Sequence, residues 1–125
     1  MKKVILLSIL VALLAAPFSA WGAEIKIAWD ANTEADLAGY NVYYGSAART
    51  GTDPKVCSTC GYATKVQVGK VTTYTITGLT LGTTYWISVT AVDTSANESA
   101  FSNQVSGAAK DYAPPADPTN LRIIQ

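Results

Sequence analysis

The stretch GLTLGTTYWISVTAVD, residues 78–93, decides the fold. Tyr85, Ile87, Val89 and Ala91 alternate with Trp86, Ser88, Thr90 and Val92, the period of two that puts one set of side chains on a buried face of a strand. The glycines and threonines ahead of Tyr85 mark a turn entering that strand. The same alternation recurs on both sides. Ile25, Ile27 and Trp29 share a face in EIKIAW, and Tyr40, Val42 and Tyr44 do so in GYNVYY. Val66 and Val68 pair off in TKVQV, Tyr74 and Ile76 in TYTIT, and Phe101 and Val105 in the segment near 100–107. Turn-rich pieces separate them: DANTEADLAG, GSAARTGTDPK, the run around Gly69 and DTSANES. With 15 threonines and seven tyrosines the chain suits half-buried pleated surface, and the expected architecture is an all-β antiparallel sandwich of six or seven strands.

Composition limits the chemistry. The chain has 125 residues, enough for one small domain, and no histidine. That removes Ser/His/Asp and Cys/His catalysis, His-ligated metals and CxxCH haem attachment, so the sequence is read as a non-enzyme with no cofactor. Lys2 and Lys3 precede an apolar run over 4–16 and small residues at 17–23, the layout of a cleaved secretory signal. That run of about 13 residues is short of the roughly 20 that span a bilayer, so no integral membrane segment is expected in the mature chain. Cleavage after Gly22 suits the small-residue positions, with Ala20 and Ala23 as near competitors. Taken as the mature chain, residues 24–125 carry seven basic and nine acidic groups, a net of −2, which argues against a nucleic-acid partner.

Three local motifs need weighing. Cys57 and Cys60, in a CSTC sequence with no helical pattern around it, read as a disulfide staple in an oxidising compartment, because a redox CxxC depends on a helix N-terminus to stabilise its thiolate. Asp30, Asn32, Glu34 and Asp36 alternate like the first half of a calcium loop, and the 93–99 loop offers Asp93, Asn97 and Glu98. Yet Ala35 stands at position six and Asn41 at position twelve, where that loop needs glycine and glutamate, so the reading is a solvated turn and no metal. Tyr43 and Trp86 fall opposite Tyr44 and Tyr85 on their strands, and are expected to form an outward aromatic patch able to stack on sugar rings or a protein.

Several of these motifs together resemble a fibronectin type III domain, an immunoglobulin-like sandwich. The Leu79, Leu81, Gly82, Thr83, Tyr85 series is similar to the E–F corner and F strand of that family, which makes Tyr85 the corner tyrosine whose hydroxyl bonds back to the backbone just upstream. Trp29 matches the core tryptophan of strand B, and DLAGYNVYYG resembles strand C with Tyr40 facing inward. AWDANTEADLAGYNVYYG and NESAFSN are closest to bacterial secreted and cell-surface members, many of which have glycine where this chain has Ala96. The resemblance divides the chain into a signal at 1–23, a domain at 24–108 and a proline-containing linker with a terminal segment at 109–125. It implies an exported, noncatalytic module for adhesion or for binding a carbohydrate or protein.

The family ordinarily begins with an A strand, which is absent ahead of the B strand here, while PTNLRI near the C-terminus looks like one. Three readings of that tail stand open: a loose remnant, a strand that completes its own sandwich, or a strand donated to a neighbouring molecule, with Leu121 and Ile123 as anchors and a homo-oligomer as the result. The spacer of roughly a dozen residues reaches about 40 Å when extended.

Overall fold

A computed structural model describes residues 22–125, and the secretory-signal pattern at Lys2, Lys3 and 4–16 lies outside them. The chain forms six strands: β1 (Ala23–Ala28), β2 (Leu37–Gly45), β3 (Thr64–Gly69), β4 (Thr73–Leu79), β5 (Thr84–Asp93) and β6 (Val105–Ala108). They make two sheets, ordered β1-β4 and β3-β2-β5-β6, with every pair antiparallel. β1 starts at Ala23, which pairs with Leu79 and is buried. Among the described residues, no helix is long and apolar enough to cross a membrane.

The inward faces carry the alternation seen in the sequence. Ala23, Val42, Ile76, Leu79, Ile87 and Ala109 form the core between the sheets, with Ile25, Ile27, Trp29, Tyr44, Val68, Tyr74, Tyr85 and Val89 packed around them. Val42, Ile76 and Ile87 are almost wholly buried, and each contributes about 1.5–3 kcal/mol by leaving water. Trp29 and Tyr40 meet edge to face at 5.4 Å, and the Tyr40 hydroxyl accepts the Asn32 N–H at 2.6 Å, tying the acidic loop after β1 to the core. Tyr85 stacks edgewise on Tyr44 at 6.4 Å. Its hydroxyl accepts the Thr80 N–H at 3.0 Å and so closes the turn between β4 and β5.

Phe101 and Val105 do not share a strand. Val105 lies opposite Ile87 and faces the core side, whereas Phe101 sits on the other side of the sheet with Tyr43 and Tyr62. The reason is that residues 98–104 bond to β5 through a bridge at Glu98 and then only through Ser99 and Ser102, whose N–H groups donate to the Ala91 and Val89 carbonyls, each at 2.9 Å. Ser99 Oγ accepts the Ala91 N–H at 2.9 Å and Ser102 Oγ the Val89 N–H at 3.0 Å, so the ladder, and with it the alternation, starts afresh at Val105.

The 93–99 turn shows what Ala96 does where glycine would be easy. Ala96 sits at φ 64°, in the left-handed region. The turn is fixed by Asp93, whose carboxylate accepts the N–H groups of Ser95 and Asn97 at 2.9 and 2.8 Å and the Asn97 amide at 2.8 Å. These bonds, the Asn97 side chain first, hold the Asp93 carboxyl below its ordinary value. A left-handed alanine costs about 1–2 kcal/mol, and glycine returns about 0.4–1 of it through its freer unfolded chain. Ala96→Gly is therefore expected to stabilise the domain by about 0.5–1 kcal/mol in urea unfolding. Tyr85→Phe, which strips the Thr80 N–H of its acceptor, is expected to cost about 1 kcal/mol.

Candidate functional site

The side of β2 and β5 that turns away from the core carries Asn41, Tyr43 and Gly45 on one strand and Thr90, Ser88 and Trp86 directly opposite on the other. This is the surface expected to display an aromatic patch. Tyr43 is instead among the most deeply buried side chains of the protein, at 0% exposure, and Trp86 is half-buried against the same cluster. Tyr43 and Trp86 therefore form no outward aromatic patch. Its place is taken by residues 46–63, the connection between β2 and β3, which fold back over the sheet and build a second core from Tyr43, Cys60, Tyr62 and Phe101. Phe101 meets Tyr43 edge to face at 4.8 Å and Tyr62 at 5.6 Å.

Cys57 and Cys60 are joined in a disulfide that sits within this flap and packs against the second core. Thr50 clasps the ring: its N–H and hydroxyl both reach the Cys60 carbonyl, at 2.7 and 3.1 Å. Two glycines allow the close approach. A Cβ on Gly51 would lie 3.0 Å from the Cys60 sulfur, and one on Gly45 would lie 3.0 Å from the Ala63 nitrogen, so a larger residue at either position needs its neighbour to give way by a few tenths of an ångström.

The polar groups on this face are all engaged. Glu98 Oε1 accepts from Tyr43 Oη at 2.5 Å, Thr90 Oγ1 at 2.6 Å and Asn41 Nδ2 at 2.9 Å, while Oε2 faces Lys65 Nζ at 3.5 Å. Burial works against the charge, but the bonds from Thr90, Tyr43 and Asn41 with the Lys65 ammonium outweigh it and hold the carboxyl below its ordinary value. Tyr43 is raised, first by burial and then by its bond to Glu98. At the other end of the face Arg49 Nη1 donates to Ser88 Oγ at 2.5 Å and to the Ser102 carbonyl at 2.8 Å, and its guanidinium lies 5.6 Å from the Phe101 ring centre. Tyr62 Oη meets Ser88 Oγ at 2.7 Å and accepts from Gln104 Nε2 at 2.6 Å.

The sequence placed Glu98 in a loop beside the DANTEAD segment. The two loops do lie together, with Asn32, Glu34 and Asp36 beside Asp93, Asn97 and Glu98, and the Glu98 carboxylate turns onto the sheet to accept from three donors on β2 and β5. Asp30, Asn32, Glu34 and Asp36 stay on the exposed loop after β1, and Thr94 N–H bonds to the Asp36 carbonyl at 2.9 Å. Among the described residues no three carboxylate or cysteine side chains converge on one point. Leu121 and Ile123 lie fully in solvent.

A two-sheet antiparallel sandwich with a corner tyrosine and a tryptophan immediately after its first strand defines an immunoglobulin-like β-sandwich protein. The chain belongs to the fibronectin type III family, whose sequence pattern it matches over residues 18–108. It is similar to Chitinase A1 of Niallia circulans, 36% identical over 104 residues, a match that takes in 78% of this chain and 12% of that protein's length. Among solved structures, the FN1–FN3 domains of chicken CNTN1 superpose with a TM-score of 0.56 at 24% identity, covering 73% of this chain and 28% of that one. The third fibronectin III domain of human KIAA0343 protein gives 0.53 at 16% identity, covering 77% and 78%. Both likenesses are of fold.

Glu98→Ala leaves three buried donors without their acceptor and is expected to cost about 2–4 kcal/mol in chemical unfolding. The sign with pH follows from the lowered carboxyl. Its stabilisation is present above the unfolded glutamate value of about 4.3 and is lost as pH falls through the folded value. Unfolding followed from pH 7 to pH 2 should therefore show wild type losing more stability in acid than Glu98→Gln.

Proposed function

We propose that this chain is exported and that its domain serves as a noncatalytic binding and structural module at the cell surface or outside the cell. The observation that carries this reading is the state of the outer sheet face: the ionisable and polar groups gathered there, Glu98, Arg49, Tyr43, Tyr62 and Ser88, are spent on one another in fixed hydrogen bonds. Groups that complete each other in this way brace a scaffold and hold no proton or nucleophile in reserve for a substrate. Membership of the fibronectin type III family and the partial likeness to a chitinase support the same reading. The relative's name points to the ligand class to try first, an insoluble polysaccharide, with a protein partner as the other candidate.

Export rests on the N-terminal pattern of Lys2, Lys3 and the apolar run at 4–16, together with the disulfide, which suits an oxidising compartment. Ala23 contributes to the core, so cleavage on its N-terminal side keeps the domain whole. Expression with the full leader followed by intact-mass measurement is expected to give a chain starting at Ala23 with one disulfide. A chain retained in the cytoplasm with residues 1–22 attached would contradict export.

The binding reading is tested with the mature chain on colloidal chitin in a sedimentation assay, with reducing-end release measured in the same tubes. Retention on the polysaccharide without release of reducing ends supports it. Release of sugar that survives repurification would replace it with an enzymatic reading, and no retention would shift the search to protein partners.

A further inference from the structure

Among the described residues β1 is one of the two outer strands of the two-stranded sheet. Trp29 N–H donates to the Thr72 carbonyl at 2.9 Å, and Ile27 and Ile25 face Tyr74 and Ile76 in the same phase, so the peptide groups of Lys26 and Ala28 point away from β4. Glu24, which precedes them in that phase, shows what this edge accepts: its N–H bonds to the Lys110 carbonyl at 2.8 Å, and Lys110 N–H bonds back at 3.2 Å. The bridge is antiparallel, so it carries the chain after Lys110 past the beginning of β1. Lys26 and Ala28 have no backbone partner along this edge among the described residues.

The core is open beside the same edge. A groove of about 310 Å³ runs between Ile27, Ala28 and Trp29 of the first-strand region and Ile87, Val89 and Val105 of the facing sheet. Val105 points to the core side, opposite Ile87, yet is 47% exposed. The Trp29 indole Nε1, on the groove wall, is the buried side-chain polar atom without a hydrogen-bond partner among the described residues. Elsewhere the chain carries an unburied apolar segment: Leu121 is 99% and Ile123 88% exposed, two positions apart.

We propose that residues 119–125 of one chain add as an antiparallel strand to β1 of a second copy, completing its sandwich. In the register that keeps apolar side chains on the core side, Leu121 lies beside Trp29 and Ile123 beside Ile27, over the groove. The peptide groups of Arg122 and Ile124 then meet those of Ala28 and Lys26, while their side chains face outward. Asn120, at φ 57°, turns the chain immediately before Leu121, so the regular strand starts there.

Direction selects the second copy over the same molecule. A strand antiparallel to β1 enters at the Asp30 end, but the tail leaves its own domain at the Glu24 end, about 20 Å away along a strand. Residues 111–118 span about 26 Å fully extended, and Pro114, Pro115 and Pro118 keep them extended and resist reversal. Laid straight outward, the same spacer delivers the tail to the Asp30 end of a neighbour. The contact is head-to-tail and does not close on itself, so rows of molecules form. This inference goes beyond the module reading, and a failure of the chitin assay leaves it untouched.

The test uses chains starting at Ala23, observed by size exclusion with light scattering. The full chain is expected to form multimers that grow with concentration. Two blocked chains separate the partners: one ending at Tyr112 cannot donate, and Lys26→Pro cannot accept, because proline removes an outward N–H that only an added strand would use. Each alone should be a folded monomer by near-ultraviolet circular dichroism, and an equimolar mixture should give a 1:1 heterodimer. Leu121→Asp/Ile123→Asp in the Lys26→Pro chain should abolish that heterodimer. The proposal is overturned if the full chain is monomeric throughout, or if the mixture stays monomeric. It is equally overturned if multimers persist in the chain ending at Tyr112, which would mark them as edge-to-edge aggregation.

Discussion

The β2–β5 pair is the centre of this protein, and it is buried on both faces. A sheet in a small sandwich usually keeps one face for the core and gives the other to water. Here Val42 and Ile87 face β1 and β4, while Tyr43 and Ser88, one residue along on each strand, are covered by residues 46–63 and Phe101. Covering the second face buries Asn41, Ser88 and Thr90 as well, and buried polar groups must be paired. The rest of the outer face follows from that requirement. Glu98 takes the donors of Asn41, Tyr43 and Thr90, Arg49 and Tyr62 take Ser88, and the Cys57–Cys60 ring and Gly51 let the flap lie close enough for the bonds to form.

The first face was legible in the sequence because a period of two is a local signal. Ile25, Ile27 and Trp29, or Tyr85, Ile87 and Val89, announce their common side without reference to any other segment. The roles of Tyr85 and Trp29 came from a resemblance carried by several motifs in order. The second face was not legible in the same way, because its cover comes from far along the chain: Tyr62 lies 19 residues and Phe101 58 residues beyond Tyr43. A signal did exist. Tyr40 to Tyr44 is an almost continuous apolar run, which marks a strand buried on both sides, and it is followed by a long connection holding a disulfide and Tyr62. Glu98 gave no such hint, since a glutamate in a polar turn looks the same whether it faces solvent or turns back to a sheet.

The two sheets differ in completeness. The β2–β5 centre of the four-stranded sheet is covered on both faces, whereas among the described residues the two-stranded sheet ends at β1 with backbone groups pointing outward and core-side residues half-exposed along the same line. Open edges of this kind are a hazard that proteins cover, charge or use. Lys26 supplies one outward charge there, and it lies near Glu24 at 3.9 Å and over the Tyr112 ring at 5.8 Å, so the first part of the tail already rests against this strand.

Native-state hydrogen exchange resolved by residue tests the central claim that β2 and β5 are covered on both faces. The amides of Asn41, Val42, Tyr43, Ser88 and Thr90 are expected to exchange slowest and only through global unfolding, together with those of the flap that binds Cys60. Cover on both faces would be contradicted if the flap amides exchanged rapidly in the native state and those of β2 and β5 followed at a fraction of the global unfolding free energy, because the outer face would then be open and Tyr43 free to meet a ligand.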